Sequence, residues 1–208
     1  MSINANQGKS EKIAVVTGAN NGIGFETTLG MARAGYKIIM ACRSLEKAEA
    51  ARREILRNLP RADLETMQLD VSDFASVRRF ADKFHSTFGH LDVLINNAGI
   101  LLYSAKSNSD GIELQFATNH LGHFLLTSLL FEIIPDDSNS RIVHLSSIAH
   151  KGARIHFDDL SCGERGIVAY GQSKLACLIF GEELDRRLKV SDSNIRSVPV
   201  HPGGSGSG

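Results

Sequence analysis

The sequence of 208 residues contains no tryptophan, only four prolines and three cysteines, and no excess of either charge. Lys and Arg number 23, as do Asp and Glu, so nothing indicates a nucleic-acid partner or a basic membrane-binding patch. The cysteines, Cys42, Cys162 and Cys177, are odd in number and lack CxxC spacing. This pattern argues against a disulfide framework or a zinc site and favours a reducing compartment, with the cytoplasm as the default.

Long apolar runs are also missing. The N-terminal segment MSINANQGKSEK lacks the apolar core of a signal peptide, and the stretch FLLTSLLFEIIP is too short and too interrupted to span a bilayer. We therefore expect no membrane association. We expect residues 1–11 to form a disordered tail and residues 12–208 to form a single domain.

Short β-branched runs alternate with stretches of helical length along the chain. Strands are predicted at 12–18, 36–42, 63–71, 91–99, 140–147 and 195–200, and helices at 25–35, 44–59, 73–88, 110–134 and 168–188. Strict alternation with nearly all-apolar strands predicts an α/β fold: a doubly wound parallel sheet between two helical layers, with strand order 3-2-1-4-5-6 as the leading topology. Ligands of such a sheet bind beyond the carboxyl ends of its strands.

A glycine-rich turn follows the first predicted strand. In TGANNGIG (17–24), glycines at 18, 22 and 24 permit a tight turn and let backbone N–H groups approach a pyrophosphate at the start of a helix. After the second strand, Cys42 stands where an acid would favour a free ribose hydroxyl, and Arg43 follows. An arginine fork suits the 2′-phosphate of NADP(H); the alternative is a solvated arginine at a helix start.

Tyr170 and Lys174 lie four residues apart in a predicted helix and so share one face. A free phenol gives up its proton only near pH ~10, and a neighbouring ammonium favours the phenolate. The pair can therefore serve as a proton donor and acceptor. The alternative, a packing tyrosine beside a lysine that extends to solvent, would be favoured if the pair stood alone.

Six motifs in order resemble those of the short-chain dehydrogenase/reductase family, retinol dehydrogenase-like branch. They are TGANNGIG (17–24), NNAG (96–99), NHLGHFLLT (119–127), SSIAH (146–150), YGQSK (170–174) and HPGG (201–204), and the resemblance runs from about Lys12 to Gly206. It implies a Rossmann-fold, NADP(H)-dependent oxidoreductase that interconverts an alcohol and an aldehyde or ketone by hydride transfer.

The resemblance also assigns catalytic roles. Tyr170 would donate or accept the proton, and Lys174 would assist it and bind the nicotinamide ribose. Ser147 would hydrogen-bond the substrate oxygen, with Ser146 as the alternative serine. Asn119 would hold a water in the proton relay, with a helix cap or kink as its alternative role.

Cofactor contacts are implied for a larger set that shares the expected crevice. In addition to Tyr170 and Lys174, these are Gly18, Asn20, Asn21, Gly22, Ile23 and Gly24 of the glycine motif, Arg43, Asp70 and Val71 at the adenine, Asn96, Ala98 and Gly99 at the adenosine ribose, and Pro202, Gly203, Ser205 and Ser207 at the nicotinamide end.

Two departures from the family pattern bear on activity. The family's seventh strand and substrate-covering helical region have no counterpart after HPGGSGSG, from which we expect weak or unspecific turnover. The N-terminal membrane anchor of many retinol dehydrogenases is also missing, which weakens retinol as a substrate. His120 and His123 lack a third ligand at matching spacing, so we expect them to be structural and expect no metal.

Family members pair through the helices corresponding to 110–134 and 168–188, so the resemblance implies a homodimer or homotetramer acting on a small alcohol or carbonyl compound. Two alternatives stay open. One is a catalytically silent NADP-binding module. The other is a methyltransferase, which shares a related sheet and a glycine-rich first loop but has no need of Tyr170 and Lys174.

Overall fold

A computed structural model describes residues 11–104, 106–162 and 165–203. The tail expected at residues 1–11 lies outside these ranges except for Glu11. Six strands form one parallel sheet in the order β3-β2-β1-β4-β5-β6, which confirms the predicted topology. Their bounds are β1 Ile13–Thr17, β2 Lys37–Cys42, β3 Leu64–Gln68, β4 Val93–Asn96, β5 Arg141–Leu145 and β6 Arg196–Val200.

Helices cover both faces of the sheet. They are α1 Gly22–Arg33, α2 Leu45–Asn58, α3 Phe74–Thr87, α4 Leu114–Phe116, α5 Gly122–Leu130 and α6 Gly166–Val190. Alternate residues of each central strand enter one of two apolar cores: Val15 packs on the side of α3 and α5, whereas Val16 packs on the side of α1 and α2. None of the helices in the described part of the chain is long and apolar enough to cross a bilayer.

Strand β1 lies at the centre, where the order of the strands reverses. Val15 pairs with Ile39 of β2 on one side and with Leu94 of β4 on the other. After β1 the chain forms β2 and β3 on one side of it, and then crosses to form β4, β5 and β6 on the other side. A crevice forms at such a switch point, between the loops that follow β1 and β4.

The predicted helix 110–134 is interrupted in the structure. Gly111, with φ +76°, belongs to a turn, and a short α4 passes into a π-helical segment, Ala117–Leu121, before α5 begins. After α5, a 3₁₀ turn covers Phe131–Ile133. Gly122 lies so close to the loop after β3 that a Cβ there would overlap the Val71 carbonyl oxygen. Only a residue without a side chain fits this contact at the first position of α5.

Candidate active site

A cleft of about 1010 Å³ lies beyond the carboxyl ends of the strands, at the switch between β1 and β4. Most of the predicted site residues line it: Gly18, Asn20, Asn21, Gly22, Ile23, Gly24, Arg43, Asp70, Val71, Ala98, Gly99, Ser147, Tyr170, Lys174, Pro202 and Gly203. The side chains of Asn96 and Asn119 lie behind its wall, and Ser205 and Ser207 lie outside the described residues.

The glycine-rich turn has the backbone shape that its sequence requires. Gly18 and Gly22 have φ of +66° and +50°, which favour glycine. A Cβ at residue 24 would overlap the Gly18 carbonyl oxygen, and one at residue 18 would lie 3.1 Å from the Ala98 Cα atom. By contrast, a Cβ at Gly22 would meet nothing of the described chain within 4 Å. The turn is therefore tightly packed beneath and open toward the cleft.

The N-terminus of α1 faces the cleft without a side-chain cap. Ser44 and Asp73 accept hydrogen bonds from first-turn N–H groups of α2 and α3, at 3.3 Å and 2.9 Å. Among the described residues, Asn21 makes no such bond, and the first turn of α1 carries no acidic side chain. Free N–H groups and the helix dipole together make this end a site for an anion.

The end of β2 places Cys42 and Arg43 in different surroundings. Cys42 is buried, and burial raises the pKa of its thiol to about 11, with partial relief from the backbone N–H groups of Ala19 and Asn20. The thiol therefore stays neutral beneath the glycine-rich turn. Arg43 is exposed and lines the cleft beside Lys47, so two cations stand at this end.

Tyr170 and Lys174 line the opposite end of the cleft on one face of α6. The Lys174 Nζ atom lies 5.8 Å from the centre of the Tyr170 ring and donates a hydrogen bond of 2.9 Å to the Leu145 carbonyl oxygen. Lys174 is only 4% exposed, and burial lowers its pKa. The ammonium group is thus held next to the phenol by the end of β5.

The two serines after β5 differ in what their hydroxyl groups contact. Ser146 is buried, and its Oγ atom donates to the Lys174 carbonyl oxygen at 2.8 Å. Ser147 is half-buried, and its Oγ atom accepts a longer hydrogen bond, 3.3 Å, from the Ala149 N–H group. Both serines line the cleft, but among the described residues only the Ser146 hydroxyl donates to a protein acceptor, which favours Ser147 for contact with a substrate.

Asn119 is 2% exposed and belongs to the π-helical segment. Its side chain accepts from the Ile100 N–H group at 2.8 Å and donates to the Ile100 carbonyl oxygen at 3.1 Å. It also donates to Ser173 Oγ at 2.9 Å, and Ser173 in turn donates to the Tyr170 carbonyl oxygen. Asn119 thus ties the loop after β4 to the helix that carries Tyr170.

Asn96 is placed differently from the ribose contact expected of it. Its side chain is buried on the α5 side of β4, where Nδ2 donates to Thr127 Oγ1 at 2.9 Å. The next residue, Asn97, lines the cleft instead. Sequence reasoning also missed Thr17, whose Oγ1 atom accepts from the N–H groups of Asn97 and Ala98, both at 2.9 Å. Its position directly before Gly18 was the available signal.

Comparison with known proteins agrees with this geometry. The family model described as short chain dehydrogenase matches residues 12–207. The chain belongs to the short-chain dehydrogenase family. Within the family it is similar to human retinol dehydrogenase 11, with 45% identity over 195 residues that cover 92% of this chain and 60% of that protein. Human retinol dehydrogenase 13 is 44% identical, with 92% and 58% covered.

Solved structures share the fold. An uncharacterized protein from Mycobacterium paratuberculosis superposes with a TM-score of 0.82 at 44% identity, covering 93% of this chain and 69% of that one. A metagenomic short-chain oxidoreductase in complex with NADP gives a TM-score of 0.76 at 25% identity, covering 93% and 82%. The chain spans about 60% of the length of the curated relatives named above, and it lies in the family's retinol dehydrogenase-like branch.

Proposed function

We propose that the protein is an NADP(H)-dependent oxidoreductase that interconverts an alcohol and an aldehyde or ketone, with Tyr170 as proton donor and acceptor. The observation that carries this proposal is that Tyr170 and Lys174 line the same cleft as the glycine-rich turn. A single ligand in this cleft could therefore contact both the Tyr170 and Lys174 pair and the anion-binding N-terminus of α1.

The cleft suits a dinucleotide in size and chemistry. Pockets of ~300–1,000 Å³ hold drug-sized ligands, and this cleft, at about 1010 Å³, is at the upper end of that range. The uncapped start of α1 and the open space at Gly22 fit a pyrophosphate. A bound nicotinamide would supply or accept the hydride.

The preference for NADP(H) over NAD(H) rests on Arg43. This residue lies at the end of β2, on the cleft, and a ribose 2′-phosphate would lie nearby if the pyrophosphate sits on α1. Cys42 occupies the place at the end of β2 where an acidic side chain would favour NAD(H). The relative solved with NADP supports the same choice of cofactor.

Each residue near the reaction has a part that follows from its contacts. In reduction, the substrate carbonyl oxygen takes a proton from the Tyr170 hydroxyl; in oxidation, the phenolate takes the proton back. Lys174, held by the Leu145 carbonyl, stabilises the phenolate through its charge. Ser147 orients the substrate oxygen, and Asn119 holds α6 in register with the loop after β4.

The substrate is a small alcohol or carbonyl compound, and the protein acts as a homodimer or homotetramer through α5 and α6. Two apolar side chains on these helices support such pairing, since Phe124 is 48% and Ile179 is 46% exposed. Burial of exposed apolar area is the main driving force for association.

The experiment compares Tyr170→Phe with the parent protein. We expect kcat/KM for NADPH oxidation with simple aldehydes to fall by ~10²–10⁴-fold, because the proton donor is removed, while the Kd for NADPH stays unchanged. Tyr36→Phe is the control, since Tyr36 lies at the start of β2, away from the cleft, and should change neither quantity.

Two results would contradict the proposal in different ways. A parent protein that binds NADPH but turns over none of the aldehydes would instead be a silent cofactor-binding module. A parent protein that binds no NADPH would overturn the assignment of the cleft itself.

A further inference from the structure

A buried polar layer lies beneath the cleft and includes side chains of β1, β4, β5 and β6. Thr17 of β1, Asn96 of β4, His144 of β5 and Ser197 of β6 are each at most 3% exposed. His123 of α5, also 3% exposed, lies against this layer. Buried polar groups of this kind need partners, so their hydrogen bonds are informative about the geometry that the fold enforces.

The two ring nitrogens of His123 have different partners, and these fix its tautomer. Nδ1 lies 3.1 Å from the Asn119 carbonyl oxygen, which can only accept, so Nδ1 carries the proton. Nε2 lies 2.9 Å from Thr17 Oγ1 and, in the neutral ring, is the acceptor. His123 therefore accepts a hydrogen bond from the Thr17 hydroxyl.

The Thr17 hydroxyl has its hydrogen-bonding capacity filled by this arrangement. It has two lone pairs and one proton, and the lone pairs accept from the N–H groups of Asn97 and Ala98. For its proton, the His123 Nε2 atom at 2.9 Å is a nearer acceptor than the Ile95 carbonyl oxygen at 3.3 Å. The histidine thus decides which way the lone pairs of Thr17 point.

We propose that His123 is a positioning residue for dinucleotide binding, because its unprotonated Nε2 atom orients the Thr17 hydroxyl that holds the cleft wall at Asn97 and Ala98. His123 does not line the cleft; it acts through Thr17. The Nδ1–H group of the same ring also donates a hydrogen bond to the Asn119 carbonyl oxygen. The inference rests on the proposed function only in taking the ligand of the cleft to be a dinucleotide.

A second buried histidine of the same layer allows a purely structural role to be separated from a positioning role. His144 is 2% exposed, and its ring nitrogens lie 3.3 Å from Asn96 Nδ2 and 3.1 Å from Ser197 Oγ. It makes no hydrogen bond to Thr17 among those described. Loss of His144 should therefore lower stability without altering the cleft wall.

The experiment uses two substitutions of His123, each of which keeps one of its two hydrogen bonds, the one to Asn119 or the one to Thr17. In His123→Asn, the side-chain amide can still donate to the Asn119 carbonyl but is too short to reach Thr17. In His123→Gln, the amide oxygen can reach the place of Nε2 and accept from Thr17. The Kd for NADPH is measured from the fluorescence of NADPH itself, which is practical because the protein has no tryptophan, and the thermal unfolding midpoint is recorded for each variant.

We expect His123→Asn to raise the Kd by roughly 3- to 10-fold, and His123→Gln and His144→Asn to stay within about 2-fold of the parent protein. Thr17→Ser should bind like the parent. Thr17→Val removes the donor to His123 and also the acceptor of the Asn97 and Ala98 N–H groups, so it should raise the Kd at least as much as His123→Asn, and it tests the same wall if the histidine variant folds poorly. In the double variant Thr17→Val/His123→Asn, the two losses should not add, since the effect of His123 passes through the hydroxyl that Thr17→Val removes.

Equal losses in His123→Asn and His123→Gln, or a loss in His144→Asn as large as in His123→Asn, would overturn the positioning role. So would an unchanged Kd in both His123→Asn and Thr17→Val. A parent protein that does not bind NADPH would overturn the proposed function, a separate result.

Discussion

At the scale of single residues, the buried His123 and His144 and the half-buried His120 show how the interior of the protein controls protonation. Burial lowers the pKa of His123 to about 4 and that of His144 to about 3, from an ordinary value near 6.5. Burial also lowers the pKa of His120 to about 4. All three are neutral at pH 7, which is the state that the acceptor role of His123 requires.

This difference between folded and unfolded states predicts a dependence of stability on pH. As the pH falls below about 6.5, the unfolded chain binds protons on these histidines, whereas the folded chain does so only near pH 3 to 4. The free energy of unfolding is therefore highest above pH 6.5 and declines as the pH falls below it. The decline amounts to on the order of a few kcal/mol per histidine before the histidines of the folded state bind protons. Urea unfolding between pH 7.5 and pH 4.5 measures the decline.

The variant His144→Asn isolates one contribution, because asparagine does not titrate in this range. Its free energy of unfolding should be lower at pH 7.5 but should fall less steeply with acid than that of the parent. His201→Asn, at an exposed histidine, should keep the parent slope. An identical slope in all three proteins would show that His144 does not remain neutral in the fold.

Residue types predicted much of the lining of the cleft, but side-chain direction decided the rest. The glycines, Arg43, Tyr170 and Lys174 line the cleft as expected from the sequence, and their roles there stay predictions. The side chain of Asn96 does not line the cleft, because alternate residues of a strand face opposite ways. It has the same parity as Leu94, which packs into the core on the α3 and α5 side, so strand parity was the signal that would have placed it there.

At the scale of elements, the alternation of apolar runs was enough to predict every strand and the sheet order, because both depend on local pattern and on general rules of connection. The interruption before α5 was not predictable in this way. It coincides with a close contact between Gly122 and the Val71 carbonyl, which lie far apart in sequence. The π-helical segment that carries Asn119 ends directly before Gly122.

Substitution of Gly122 tests this origin of the helix boundary. A Cβ at residue 122 would overlap the Val71 carbonyl, so Gly122→Ala should lower the free energy of unfolding by about 1–3 kcal/mol through overpacking. Gly30→Ala is a matched control inside α1, where a Cβ would meet nothing of the described chain within 4 Å. That variant should gain roughly 0.5–1 kcal/mol from helix propensity.

Urea unfolding monitored by circular dichroism distinguishes the two glycine variants. The opposite signs matter more than the magnitudes, because both changes add the same methyl group to a helical glycine. A Gly122→Ala variant as stable as Gly30→Ala would mean that α5 can move away from the loop after β3 without cost. The close approach to Val71 would then not be what sets the start of the helix.

At the scale of the whole molecule, the cleft is assembled from loops that follow all six strands, so its ligand contacts elements that are distant in sequence. The residues that line it are spread along the sequence, and the first and last of them are Thr17 and Gly203. A ligand that binds only when these loops are together must stabilise the folded state as a whole, in proportion to its concentration relative to Kd. Cofactor preference should therefore appear as a difference in global stability.

We expect NADPH at about 100 times its Kd to add ~2.7 kcal/mol to stability and to raise the unfolding midpoint by roughly 5–10 °C. NADH at the same concentration should raise it far less, because it lacks the 2′-phosphate that Arg43 would bind. Arg43→Leu should lose most of the NADPH shift and keep the small NADH shift, since charge-assisted hydrogen bonds contribute about 1.5–3 kcal/mol. Arg53→Leu, also exposed but outside the cleft, should behave like the parent. Equal shifts with NADPH and NADH in the parent protein would remove Arg43 from the cofactor site while leaving the rest of the cleft as described.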